Sequence, residues 1–286
     1  MAQAMKELGP VSEAVVVDST RVTPEDRDEV RRIRLRVDEP AFRFSPGQSI
    51  GVVVPGPHAF GNRYHIRRYS IASGHRDGTQ DAVEFELLVR RCFYVDEISG
   101  EQYPGIASNY LCDARGGAQI TITGPFRSPF RIPQDDTANL VMIGTGTGVA
   151  PFRSFIQEIY RTNRAWHGLV RLYYGAKSGM DLLYRNDELD DLSNYYDRNS
   201  FKAFRAIISK PMASEGETLQ AAIEGHAQDV WELMQDAKTH IYIAGLGKVV
   251  EAFDAVMEKA ATSPTAWRQT REWLHAEGRW SELVYT

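Results

Sequence analysis

The stretch Gly144-Thr145-Gly146-Thr147-Gly148-Val149-Ala150-Pro151-Phe152 constrains this chain more than any other. An apolar run, Leu140-Val141-Met142-Ile143, precedes it. A helical pattern follows, with Val149, Phe152, Phe155, Ile156 and Ile159 on one face. Strand, glycine-rich turn and helix together bring backbone N–H groups up to a phosphate. The glycines permit close backbone approach and positive φ. Pro151 suits a first helical turn, where a missing N–H costs nothing. A glycine run alone is weak evidence, because some such runs are only tight turns; its place after a buried strand favours a nucleotide site. It is neither the usual dinucleotide fingerprint nor a P-loop, because no Gly-Lys-Ser/Thr follows.

Around this motif the chain changes character. Before it, short runs rich in β-branched and aromatic residues recur: Val30–Val37, Ser49–Val54, Arg68–Ser73, Val83–Arg90 and Gln119–Thr123. Turn residues separate them, such as Ser45-Pro46-Gly47, Asp77-Gly78 and Arg115-Gly116-Gly117. That spacing predicts an antiparallel barrel. In Val30–Val37 apolar residues alternate with arginines, which predicts a strand with one wet face. The segment 124–137 holds several prolines and reads as a linker. Beyond it, apolar runs at Leu140–Ile143, Leu169–Tyr174, Phe204–Ser209 and His240–Ala244 alternate with helical patterns near Pro151–Arg161, Leu182–Leu192, Leu219–Gln235 and Val249–Ala261. That alternation predicts an α/β unit built on a parallel sheet. A last helix near Thr265–Glu277 leads to a strand ending at Tyr285. The expected domains are an antiparallel β-barrel over residues 1–134 and a parallel-sheet nucleotide domain over 135–286.

At 286 residues there is room for two cores, and 43% hydrophobic with 25% charged residues is ordinary for globular proteins. No apolar run is long enough to span a bilayer, and the first residues lack an apolar signal core, so a soluble cytoplasmic protein is expected. Cys92 and Cys112 are too few for a disulfide framework or for the four thiolates of a usual iron–sulfur cluster. Any such centre would sit on another protein, and no metal site is expected here. Of the 33 basic and 38 acidic residues, residues 1–134 carry 17 of each, which leaves 16 and 21 for the rest. The acidic excess therefore lies wholly in the second half. Sixteen of the first-half cations are arginine, the better group for bidentate phosphate contacts, although ordinary surface charge is the alternative. No basic excess points to nucleic acid.

A second segment carries chemistry. In Arg68-Tyr69-Ser70-Ile71-Ala72-Ser73 a cation, an aromatic ring and a hydroxyl occupy consecutive strand positions. Arg68 and Ser70 share one face and Tyr69 points to the other. Either this is an ordinary barrel strand, or Arg68 holds a phosphate while Ser70 donates to a ring nitrogen or carbonyl.

Taken with the other motifs, the chain resembles the plant-type ferredoxin–NADP⁺ reductase family of flavoproteins. The resemblance runs from about Arg43 to Tyr285. It includes Arg68-Tyr69-Ser70, then Gly105-Ile106-Ala107-Ser108-Asn109-Tyr110-Leu111-Cys112, Ile122-Thr123-Gly124-Pro125, the glycine loop, Leu182-Leu183-Tyr184, Ile241 to Leu246, and Trp280 through Tyr285. It implies an FAD-binding barrel followed by a nicotinamide-nucleotide domain. By the same resemblance Arg68 and Ser108 hold the FAD pyrophosphate, in the segment Gly105-Ile106-Ala107-Ser108. Tyr69 packs on the flavin face, and Ser70 is the hydroxyl near flavin N5. Tyr94 lies against the adenine, and Gly144, Thr145, Gly146, Thr147 and Gly148 form the nucleotide pyrophosphate loop. Tyr285 stacks on the isoalloxazine and yields to nicotinamide. The plainer alternatives are a core tyrosine at 94, a helix cap at Ser108 and a simple edge strand at the C-terminus.

The chain departs from the family pattern in places. Ala244 stands where the family has a cysteine before Gly245, and Leu283 where it has an acidic residue, which weakens any carried-over proton network; Glu282, next to that position, is a candidate catalytic residue beside Ser70 and Tyr285. In the segment that selects NADP, Ser209-Lys210 replace Ser-Arg, and Leu219 stands for a tyrosine, with Glu215 and Glu217 nearby. Lys210 offers a point charge to a 2′-phosphate without the fork of arginine. NADPH is expected, with NADH as the alternative. The implied activity is an FAD-dependent reductase that takes hydride from NAD(P)H and passes electrons singly to a separate ferredoxin, flavodoxin or oxygenase component. The alternatives are a reductase of small acceptors, such as flavins, quinones or metal complexes, and a non-catalytic subunit that keeps the fold.

Overall fold

The computed structural model describes residues 10–58, 61–76, 82–96, 98–161, 166–177, 201–208, 220 and 223–285. The chain divides into two compact units, 1–128 and 129–286. The first holds β1 (Val11–Arg21), β2 (Val30–Val37), β3 (Ser49–Pro55), β4 (Tyr64–Arg76) and β5 (Val83–Arg90). These are followed by β6 (Phe93–Val95), β7 (Gln102–Pro104), α1 (Ile106–Asp113) and β8 (Gln119–Phe126). Six strands close a barrel in the order β1-β2-β5-β4-β3-β8, and β6 and β7 form a separate ribbon. Every barrel pairing is antiparallel.

The alternation along β2 explains its place. Val30, Ile33, Leu35 and Val37 are buried, and the arginines between them keep a wet face. There Arg34 meets Asp18 at 2.8 Å and Arg32 lies 3.6 Å from Glu86 on β5. Opposite charges across strands contribute about 0.2–1 kcal/mol per pair. Inside, Leu35, Ile50, Phe85, Leu87 and Ile122 are fully buried. Burying each such side chain stabilises the unit by about 1.5–3 kcal/mol. The first strand, β1, is absent from the sequence expectations. It pairs with both β2 and β8 and so completes the barrel. A bulge between Val16 and Asp18 interrupts its alternation, which hides the period of two.

The second unit holds β9 (Asn139–Thr145), α2 (Ala150–Arg161), β10 (Val170–Lys177), β11 (Phe201–Ile208) and α3 (Ala227–Met234). It continues through β12 (Thr239–Leu246), α4 (Lys248–Ala260), α5 (Pro264–Ala276) and β13 (Trp280–Tyr285). The sheet order is β11-β10-β9-β12-β13, parallel throughout. Central β9 is buried at every position, as a strand covered on both faces must be. Ser263 caps α5 by accepting the Ala266 N–H at 3.1 Å, and Pro264 opens its first turn. The helical pattern at 182–192 lies outside the described residues, and the one at 219–235 contains α3. The division between units falls inside the segment 124–137. Strand β8 continues to Phe126, and Phe130 stacks on Phe152 of α2 at 5.5 Å, which ties the rest of the segment to the second unit.

Candidate functional site

Strand register sets the first half of the site. Tyr69 pairs with Ile50 and Arg67 with Val52, so both lie on the face that carries the barrel core. Tyr69 packs against that core. Arg68 and Ser70 pair with Gly51 and Ser49 and take the opposite face. Arg68 is exposed, its guanidinium 4.1 Å over the Phe126 ring, and Ser70 is buried. Burial drives the Tyr69 hydroxyl well above its ordinary pKa, helped by the neighbouring Cys92 and Cys112, while the Arg67 charge opposes it. The cation electrostatically coupled to Tyr69 is thus Arg67, which the sequence reading passed over.

Beside Tyr69, the chain turns from β5 through Cys92 to the ribbon and returns into α1. Gly105 is the N-cap of α1. A Cβ there would sit 3.0 Å from the Ser108 Oγ and 3.1 Å from the Cys92 carbonyl oxygen. Ser108 is not a helix cap. Its Oγ accepts the Cys92 N–H at 3.1 Å and donates to the Gly105 carbonyl at a long 3.3 Å. That donation is longer than an ordinary O–H···O bond and correspondingly weak. The first amides of α1, at Ile106, Ala107 and Ser108, have no acceptor within the helix by its geometry. Arg91 orients the helix by donating to Glu29 at 2.7 Å, to Asn109 at 2.8 Å and to Asp113 at 2.8 Å. Sequence reading missed Arg91, because its partners lie far away along the chain. On the ribbon, Tyr94 faces Tyr103 in register, and the two rings stack in the open. Tyr94 is therefore not a core residue. Arginines on β4, a helix N-terminus and an exposed aromatic platform fit the pyrophosphate and adenine of FAD.

In the second unit β9 runs into a 3₁₀ turn, Gly146–Val149, which leads into α2. Thr145, Gly146 and Gly148 are buried and Thr147 is half-buried. Gly146 has φ 53°, a conformation that favours glycine. A Cβ at Gly148 would lie 2.6 Å from the Ala244 carbonyl oxygen, and one at Gly245 would collide with Thr145 Oγ1. Two backbones therefore cross without side chains between them, the glycine loop on one side and the end of β12 on the other. Tyr174 on β10, missed by the sequence reading, donates its hydroxyl to the Gly146 carbonyl at 3.3 Å and pins the loop. This buried turn ahead of a helix fits a nucleotide pyrophosphate.

The last described residues form β13, an edge strand among the described residues. Val284 pairs with Gly245 and Tyr285 with Leu246. Along β13, Trp280 and Glu282 share a face, since the Trp280 indole donates to Glu282 at 2.6 Å. Alternation puts Leu283 and Tyr285 on the opposite face, and Tyr285 is half-buried. Glu282 is therefore turned away from Tyr285 and held by Trp280 and, at 3.7 Å, by Arg271. Ser209, Lys210, Glu215, Glu217, Leu219, 182–184 and Thr286 lie outside the described residues.

A family model described as the oxidoreductase NAD-binding domain matches residues 142–254. Ferredoxin–NADP reductase of Thermosynechococcus vestitus is 33% identical over 263 residues, covering 90% of this chain and 68% of that protein. The enzyme of that name from Spirulina sp is 33% identical over 262 residues, covering 90% and 88%. The chain belongs to the ferredoxin–NADP reductase family. A solved ferredoxin–NADP⁺ reductase from Plasmodium falciparum has the same fold, with a TM-score of 0.73 at 18% identity over 96% of each chain. The Ala244 carbonyl oxygen is the atom closest to a Cβ placed at Gly148, and Leu283 shares the face of Tyr285.

Proposed function

We propose that this protein is an FAD-dependent reductase that takes hydride from NADPH and passes electrons singly to a ferredoxin, with a flavodoxin or oxygenase component as other candidate acceptors. The observation that carries the reading is the presence, on one chain of this family, of an FAD-shaped cradle in the first unit and a buried glycine loop in the second. Bound FAD supplies hydride acceptance and one-electron release, chemistry that no side chain of this protein has.

The chain's own residues bind and orient. Arg68, with Arg67 from the opposite face of β4, and the α1 N-terminus at Gly105, Ile106, Ala107 and Ser108 hold the FAD pyrophosphate. Tyr94 and Tyr103 take the adenine. Tyr69 supports the flavin ring and Ser70 donates to its reactive edge. Gly144 through Gly148 and Gly245 hold the nicotinamide nucleotide, and Ser209 and Lys210 meet its 2′-phosphate. Tyr285 guards the flavin and gives way to nicotinamide. Among the described residues no helix is long and apolar enough to cross a membrane. The cytoplasm is the compartment we assign, as the sequence reading expects.

Stopped-flow reduction of the bound flavin by NADPH and by NADH, followed by addition of ferredoxin, tests this reading. Ser70→Ala should slow flavin reduction more than about tenfold, or about 1.4 kcal/mol of barrier, with FAD content unchanged. Reduction by NADPH with transfer only to small quinones would replace the protein acceptor.

A further inference from the structure

One cluster in the second unit is unused by that mechanism. Arg271 of α5 donates to Asp254 of α4 at 2.6 Å and lies 3.7 Å from Glu282 of β13. Its guanidinium also sits 5.4 Å from the centre of the Trp280 ring. Trp280 is buried among Phe253, Trp267 and His275. A buried indole N–H needs an acceptor, and Glu282 supplies it at 2.6 Å. One guanidinium thus serves two carboxylates on different elements. Burial pushes the Asp254 carboxyl up, and Arg271 pulls it back.

The position of this cluster gives it a consequence. Strand β13 is an edge strand, paired only with β12 among the described residues. The cluster grips the strand at Trp280 and Glu282, and the strand ends at Tyr285, about 10 Å beyond Glu282 at the usual rise per residue. Its last pairings are to Gly245 and Leu246, and Gly245 is the residue that meets Thr145 of the glycine loop.

We infer that Asp254, Arg271 and Glu282 form a clamp on β13 that sets how firmly Tyr285 keeps its place, and so tunes the binding and release of the nicotinamide nucleotide. Glu282 is then a positioning residue. The inference rests on the role given to Tyr285 above. Loosening the clamp makes Tyr285 easier to displace, so nucleotide binding tightens and product leaves more slowly.

The test uses the FAD-loaded protein and NADP⁺ as the probe, with affinity read from the flavin difference spectrum. Glu282→Leu should bind NADP⁺ about threefold tighter, as neighbouring residues couple. It should also speed hydrogen exchange of residues 281–285. Glu282→Gln, which keeps an acceptor for Trp280, should give a smaller effect and carries the test if the leucine variant does not fold. In a Tyr285→Ser background neither change should alter affinity further. An unchanged affinity beside a lowered melting temperature, or the same change with and without Tyr285, overturns the clamp. If Tyr285→Ser alone leaves NADP⁺ affinity unchanged, the role of Tyr285 fails and the clamp falls with it.

Discussion

Tyr94 and Tyr103 stand opposite each other on a short ribbon and stack with ring centroids 5.4 Å apart, yet they are 58% and 39% exposed. Two nearly parallel rings held in solvent form a ready platform for a flat base. Stacking contributes about 0.5–1.5 kcal/mol beyond area burial. Tyr94→Ala should therefore weaken FAD binding several-fold, and Tyr94→Phe should not. Titration of the apoprotein with FAD by flavin fluorescence checks this, and equal affinities for all three proteins would remove the platform from the site.

Arg67 and Arg68 take opposite faces of β4. Arg68 already rests on Phe126, and the charge of Arg67 acts on Tyr69. A charge-assisted hydrogen bond contributes about 1.5–3 kcal/mol. Each alanine variant should lose FAD on gel filtration, and Arg67→Ala should lose at least as much as Arg68→Ala. Full FAD occupancy in both would place the pyrophosphate elsewhere.

Gly148→Ala would push a methyl group into the Ala244 carbonyl oxygen, 2.6 Å away. Overpacking of this kind costs about 1–3 kcal/mol. The variant should bind NADP⁺ more than about tenfold more weakly, about 1.4 kcal/mol, while retaining its FAD. Calorimetric titration reads the affinity, and the flavin absorbance reads the occupancy.

Acid should loosen the first unit through Glu29. Burial alone would raise its carboxyl, but hydrogen bonds from Arg91 and Arg31 outweigh that and hold it below its ordinary range. A depressed native pKa contributes stability above the unfolded value of about 4.3, lost as pH falls through the native value. Glu29→Gln should lose stability near pH 7 and show a flatter dependence on acid. Urea unfolding at a series of pH values measures both.

Local pattern makes much of this protein legible. Val30–Val37 and Val83–Arg90 are strands with the expected bounds, because alternation with a wet face is written in adjacent residues. The glycine loop is equally local: strand, turn and helix follow within one short stretch. The ribbon of β6 and β7 escapes a reading of the sequence, since strands of three residues carry no period.

The sequence by itself determined the two architectures, the glycine loop and the family motifs, because these depend on residues close together along the chain. Tertiary structure decided the rest. Closure of the barrel by β1, the partnership of Arg91 with Glu29, the contact of Gly148 with Ala244 and the turn of Glu282 away from Tyr285 all join or orient residues through packing. Which face a side chain takes at a strand end, and which distant backbone lies against a glycine, follows from register and close packing.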